Sequence, residues 1–430
     1  MNEIRIAGLR LPIYAILLII TIIAMFLDVL PGGMVGAFLF LIIFGELLNL
    51  LGNKLPIIKT YLGGGAIVSI FGGAALVYFN VLPEPVVETT TTFMKDGGFL
   101  NFYIAALITG SILGMNRKLL INAAIRYLPC IIGAVAMAII LVSGAAAIMG
   151  YGAKEAIAYV GIPIMGGGMG AGAVPISKVF EAALNTPADT IMGRLVPAVA
   201  LGNAMAIVAG GLLNRLGNVK PSLTGNGQLV RTEDKSLIAE KKEVRPLKNL
   251  TDYGTGIVLA TCFFTFGAIV SHLLKQIGLD IHTYAWMIIA VAVVKATNIM
   301  PEELEEKCEG WYNFVAKNFT AALMLGIGVA YTDLGDIISA FTPTYVVLVF
   351  FVILGAIIGA GVIGHFVGFH VIESAITAGL CMANMGGTGD VAVLTASDRM
   401  ELMPFAQISS RLGGAFIILV ASFLVPLFFG

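Results

Sequence analysis

Arg411 stands where a cation is costly. It lies in SSRLGGAF, directly after Ser409 and Ser410 and at the head of an apolar run that reaches the C-terminus. A guanidinium in such surroundings snorkels, pairs with an acid or meets an anionic ligand. With two hydroxyls beside it, its planar fork suits a carboxylate, and we expect Arg411 to bind one. Asp390, in GGTGDVAV, has two uses open to it: it can ligate a cation or cap the helical segment that follows. Glu373, between His370 and Ser374, is expected to reach interfacial water, and Lys295 to mark the cytoplasmic end of a span. Arg194, in GRLVPAVALGN, has fewer polar neighbours and reads as structural or snorkelling.

Two glycine-rich segments frame these residues. GIPIMGGGMGAGAVPISKVF (161–180) and GLCMANMGGTGDVAVLTASDRM (379–400) are apolar enough to enter a membrane, yet each breaks at a Gly cluster that a continuous helix disfavours. The two match one another with one gap, and Gly170 precedes Arg194 at the same separation as Gly387 precedes Arg411. This internal repeat makes both segments re-entrant hairpins. In secondary transporters built as inverted repeats, interrupted helices meet near the bilayer midplane, with amides facing an anion and freed carbonyls a cation. Isolated glycines such as Gly72 and Gly73 need only permit close packing.

The elements that must position these segments follow from composition. Of 430 residues, 58% are hydrophobic and 12% charged, whereas about a quarter of a soluble domain is charged. So few charges cannot cover a surface in water, and the solvent is lipid. The net charge of -1 and the scattered Lys and Arg exclude nucleic acid as a partner. Four cysteines without a CxxC pair and four histidines without HExxH spacing give neither a disulfide framework nor a transition-metal site. With no GxSxG elbow either, the chain is expected to be no enzyme and to hold no cofactor.

A span needs about 20 predominantly apolar residues. Eleven segments qualify, near 11–30, 34–52, 62–83, 99–116, 127–149, 190–213, 254–277, 283–299, 316–340, 344–367 and 404–429. Placing loop Lys and Arg inside puts the N-terminus in the cytoplasm, the C-terminus outside, and the linker 214–250, with its 8 Lys and Arg, in the cytoplasm. The halves are then 1–213, with a first hairpin at about 161–186 entering from outside, and 251–430, with a second at about 371–400 entering from inside. Gly, Pro, Ser and Thr around Pro221–Gly227 suggest a flexible tether. The acidic stretch Pro301–Glu309 reads as a helix start lying on the surface. The first apolar run is long enough to span and ends in no small-residue cleavage site, so no cleavable leader is expected.

At these residues the chain resembles the 2-hydroxycarboxylate transporter family, which includes bacterial sodium/citrate and sodium/malate symporters. CMANMGGTGD, AVLTASDRM and FAQISSRLGGA look like its second hairpin and last helix, and GGGMGAGAVPIS looks like its first hairpin. The resemblance covers essentially the whole chain. It implies an all-α integral membrane protein, a homodimer in the bacterial inner membrane, in which a hairpin-bearing domain moves elevator-fashion against a scaffold. It also implies uptake of a small carboxylate, usually with sodium. By the same resemblance, Arg411 grips a carboxylate, Gly387 and Thr388 supply amide and hydroxyl contacts, and Gly170, Met169 and Met385 belong to the same substrate site. Ile164, Gly167, Met382 and Asn384 surround one sodium, and Thr388 and Ser410 lie near a second.

Two positions depart from the citrate-transporting pattern: Met169 replaces the Asn of GGGNG, and Met385 the Arg of ANRGG. A thioether is a weak acceptor and no cation. A smaller acid, malate first and lactate-like monocarboxylates next, is therefore expected over citrate. Sodium symport is the leading expectation; malate/lactate exchange and proton coupling stay open. The membrane subunit of a sodium-pumping decarboxylase is disfavoured because a GGADGPT-like signature is absent.

Overall fold

The apolar runs fold as helices because a backbone group left unpaired in hydrocarbon is expensive and a helix pairs each within its own segment. A computed structural model describes residues 5–56, 58, 64–114, 117–231, 247, 249–276, 283–332, 334–335, 338 and 341–429. Its long helices are α1 (Leu11–Phe26), α2 (Gly33–Lys54), α3 (Gly65–Tyr78), α4 (Glu84–Met94), α5 (Phe99–Leu113) and α6 (Arg117–Met149). Three short pieces follow, α7 (Ala153–Ala156), α8 (Ile162–Ile164) and α9 (Val174–Leu184), then α10 (Ala188–Val219), α11 (Leu250–Lys275), α12 (Thr283–Thr297), α13 (Glu302–Tyr331) and α14 (Pro343–Phe366). The chain ends with α15 (Val371–Ser374), α16 (Gly387–Ala396), α17 (Met403–Ile408) and α18 (Gly414–Phe429). One exception to an all-α fold precedes α1. There β1 (Arg5–Ile6) and β2 (Leu9–Arg10) pair antiparallel across a turn in which Ala7 and Gly8 take φ of 51° and 75°, the primed geometry that matches strand twist.

Among the described residues six helices (α2, α6, α10, α11, α13 and α14) are long and apolar enough to cross a membrane, and α4 with α5, bent 41° at their junction, form a seventh candidate if counted together. The remaining expected spans fall on shorter apolar helices such as α1, α12 and α18. The span expected at 316–340 is displaced. α13 begins at Glu302, with Pro301 before it and Glu302, Glu303 and Glu305 against the positive end of its dipole, and runs unbroken to Tyr331. The acidic stretch is thus a helix start with one face on the surface, where Pro301, Glu302, Glu303 and Glu306 are exposed, and the other turned inward, where Glu305 and Cys308 are buried. Lys295 of α12, also buried, reaches Glu305 Oε2 at 2.6 Å. Each charge enters the interior because the other is there.

Packing sorts the helices into two groups that cut across the sequence halves. α1 to α5 pack with α11 to α13, and α6 to α10 with α14 to α18. In the second group α6 and α14 approach so closely that a Cβ on Gly359 would lie 2.0 Å from the Gly133 carbonyl oxygen. Only a small residue permits that crossing.

The linker starts as part of the second group, not as a loose tether. After a 3-10 turn at Pro221–Leu223, Thr224 Oγ1 and the amides of Gly225 and Gly227 donate to the Glu373 carboxylate at 2.6, 2.9 and 3.2 Å. Val230 bridges Phe369, and the Arg231 amide donates to the Gly368 carbonyl at 3.0 Å. Residues that read as flexible from composition instead supply a tight turn whose N–H groups converge on one carboxylate. The rest of the expected linker, 232–246 and 248, lies outside the described residues.

Candidate functional site

Both glycine-rich segments fold as broken helical hairpins. The first descends through α7, a π-helical turn (Ile157–Gly161) and α8, reverses, and returns through a second π-helical turn (Met169–Ala173) and α9. The second descends through α15 and a π-helical turn (Ala375–Leu380) and returns as α16. Gly167 and Gly168 at the first tip take φ of 77° and 108° and Gly386 at the second takes 69°, conformations that glycine adopts without penalty. The tips meet: a Cβ on Gly168 would fall 2.7 Å from the Met385 carbonyl carbon. The Gly clusters therefore serve both reversal and contact. A further π-helical turn, Ser409–Gly413, sits where α17 meets α18, and such turns recur at functional sites.

A polar knot lies behind the second tip. Asp390 is 1% exposed, and its carboxylate accepts from Asn384 Nδ2 at 2.9 Å. Ser410 Oγ lies 3.1 and 3.0 Å from the two Asp390 oxygens and 3.2 Å from the Cys381 carbonyl oxygen. One hydroxyl hydrogen faces three acceptors, so oxygens crowd a point of the kind that a hard cation takes. Asn384 Oδ1 also accepts the Gly386 amide at 2.7 Å, and Asn203 Oδ1 of α10 accepts the Met385 amide at 3.0 Å. Asp390 stands in the first turn of α16, where its own amide bonds the Gly386 carbonyl at 2.9 Å.

Between the hairpin tips and the first helix group lies a cavity of about 450 Å³. Gly167, Met169, Met385, Gly386, Asp390 and Ser410 form one wall, and Asn49, Asn53, Tyr103, Ser111, Tyr312 and Thr320 stand on the other. Of the expected substrate residues, Met169 and Met385 are thus brought together. Of the expected sodium residues, Gly167 and Ser410 reach the cavity. Ile164, Met382 and Asn384 are fully buried behind the tips, Ile164 against Gly202 and Met382 against Gly413. Gly170, Gly387, Thr388 and Arg411 have their backbone in the segments above, and beyond that lie outside the described residues. Arg194 does not reach the cavity: its guanidinium carbon stands 3.4 Å from the centroid of the Tyr159 ring.

Away from this cavity the groups touch again. Lys95, which follows α4, pairs with Asp189 of α10 at 3.2 Å, and Lys95 and Lys178 of α9 each stand 5.3 Å from the centroid of Tyr331. The cavity takes Tyr312, Ala316, Thr320 and Met324 of α13, and this seam takes its last residue, about 10 Å beyond Met324 along the axis. The two groups are thus apart at the cavity and in direct contact at this seam.

Sequence reasoning passed over Asn49, Asn53, Tyr103, Asn203 and Tyr312. The available signal was a lone polar side chain inside an apolar run, which in a membrane marks a site by default. It also misplaced Glu373, which is fully buried and 3.2 Å from Arg399 Nε. That pairing had no local signal, because the groups holding the carboxylate come from distant stretches of chain.

The model of the 2-hydroxycarboxylate transporter family matches residues 6–423. The Na(+)-malate symporter of Bacillus subtilis is 39% identical over 428 residues, 99% of this chain and 93% of that protein. The malate transporter MleP of Lactococcus lactis is 37% identical over 431 residues, 100% of this chain and 99% of its own. The citrate/sodium symporter of Salmonella typhimurium is 36% identical over 420 residues, 97% and 94% respectively. A family of transporters and a fold with several apolar helices of spanning length together make this a multi-pass membrane protein. Matched along nearly its whole length by the family model and by each of these relatives, the chain belongs to the 2-hydroxycarboxylate transporter family.

Proposed function

We propose that the protein carries small 2-hydroxycarboxylates across the bacterial inner membrane by symport with sodium, with malate preferred to citrate. The observation that carries this reading is the cavity walled by both hairpin tips, with the oxygen cluster of Asp390, Ser410 and Cys381 at its edge. An anion fits the helix ends and amides, a sodium ion the oxygens. In this reading Arg411 holds a carboxylate, with Gly387, Thr388 and Gly170 beside it. Sodium sits among Ile164, Gly167, Met382 and Asn384, and again near Thr388, Ser410 and Asp390. Met169 and Met385 face the substrate with thioethers where a tricarboxylate needs partners, and each unpartnered charge in a closed site carries a desolvation penalty. The malate named for two of the relatives agrees with that preference.

The hairpins are re-entrant, eleven spans put the N-terminus inside and the C-terminus outside, and the protein works as a homodimer. The second helix group travels elevator-fashion against the first. In that orientation the cavity takes the cytoplasmic ends of α2, α3, α5 and α13, and the Lys95–Asp189 and Lys178–Tyr331 contacts close the outer side, which supports an inward-facing state. The test is uptake of labelled malate, citrate and lactate into proteoliposomes with sodium and proton gradients imposed separately. Malate entry driven by sodium alone is expected. Entry driven only by protons, or only by counterflow from loaded vesicles, would replace symport with sodium by proton coupling or exchange.

A further inference from the structure

The wall of the cavity that faces the hairpins carries four hydroxyls, and three have committed their hydrogens. Ser111 donates to the Ile108 carbonyl at 3.3 Å. Thr320 donates to the Ala316 carbonyl, so the 2.7 Å contact between Tyr103 and Thr320 must be made with the Tyr103 hydrogen. Tyr312 lines the same cavity, and among the described residues its hydroxyl has no hydrogen-bond partner and is not enclosed. Its position is set from behind. A Cβ on Gly110 of α5 would fall 2.2 Å from Tyr312 Cβ, so α5 and α13 meet at the root of this ring.

We propose that Tyr312 is a substrate-binding residue supplied by the first helix group, donating its O–H to a substrate carboxylate only while the hairpin tips face the cytoplasmic cavity. This rests on the transport function proposed above. The chemistry suits release as well as binding. A neutral phenol solvates an anion as it leaves the hairpins without adding the positive charge that would trap it. Because Tyr312 belongs to the group that does not carry the hairpins, movement of the second group takes the substrate away from it. Tyr312 then contributes nothing to affinity at the outer face.

The experiment compares wild type with Tyr312→Phe in proteoliposomes, measuring the malate KM from each face. An inner-face KM about tenfold higher is expected, the order for one hydrogen bond to a charged group in a wet site, with the outer-face KM unchanged. The unchanged face shows in the same sample that the variant is folded. An unaltered inner-face KM, or equal losses at both faces, overturns the inference. Should Tyr312→Phe fail to reach the membrane, Tyr312→Cys in a chain lacking its four native cysteines provides the second measurement. Malate should slow its alkylation by a thiol reagent added at the cytoplasmic face, and alkylation indifferent to malate overturns the inference. Wild type serves as the control on the transport reading, because absence of malate transport there counts against that reading and not against Tyr312.

Discussion

Arg399→Ala and Glu373→Ala should both destabilise the protein, and not equally. The two side chains are 6% and 0% exposed and meet at 3.2 Å. Removing one member of a buried pair costs about 3 to 5 kcal/mol, because the survivor keeps its charge and loses its partner. In Arg399→Ala the carboxylate still accepts from Thr224 and from the Gly225 and Gly227 amides, which places the loss near the lower end, about 3 kcal/mol. In Glu373→Ala the guanidinium retains Asn214 Oδ1 and the carbonyls of Ser397 and Asp398. Two backbone amides and a hydroxyl are stranded as well, moving the loss towards about 5 kcal/mol. Replacing both by methionine should cost less than the sum of the singles. Thermal unfolding in detergent reads the order, and limited proteolysis of the segment 221–231 reads the local release. If either single alanine variant stays within about 0.5 kcal/mol of wild type, the range of ordinary surface changes, and 221–231 remains as protected as before, the pairing does not hold the linker.

Three further outcomes are expected. Arg411→Ala should abolish measurable uptake through a loss of about 2 to 5 kcal/mol, and Arg411→Lys should also be impaired because an ammonium lacks the planar fork; unchanged substrate affinity in folded Arg411→Ala would remove the assignment. Met385→Arg should shift competition among citrate, malate and lactate towards citrate, and citrate outcompeting malate in wild type would refute the size argument. Asp189→Asn breaks a seam contact whose partners are 31% and 41% exposed, so it is worth about 1 kcal/mol at most and shifts the balance towards the outward state no more than about fivefold. Thiol labelling of Ser410→Cys from outside should rise by that factor, and less so in high salt; a fall in labelling would contradict the seam's role.

The hairpins were legible in the sequence because glycine clusters are a local signal, and the two clusters repeat. Met169 and Met385 stood out by their departure from the family pattern rather than by the repeat, and they share a wall. The boundary of α13 was misread because five glutamates and a lysine within nine residues argue for water when considered alone. The buried Lys295 that lets Glu305 go inside belongs to another helix. Glu373 failed for the same reason, its donors arriving from the linker. Asn49 and Tyr312 were visible as letters, but only packing shows that they face the hairpin tips. In each case the missing information was a partner on another element, which no period or composition carries.

Arg117, at the first residue of α6, donates through Nε to the Ala296 carbonyl at the end of α12 at 3.0 Å, and Tyr127, ten residues on, donates to the Phe405 carbonyl of α17 at 3.1 Å. One end of this stretch is therefore fastened to the first helix group and the other to the second. As helix it is an arm of about 15 Å. While both fastenings hold and the arm stays helical, its far end can only sweep an arc about Arg117. If the second group travels as proposed, its stroke is bounded by a crank radius, and a longer journey requires the first turns of α6 to unwind.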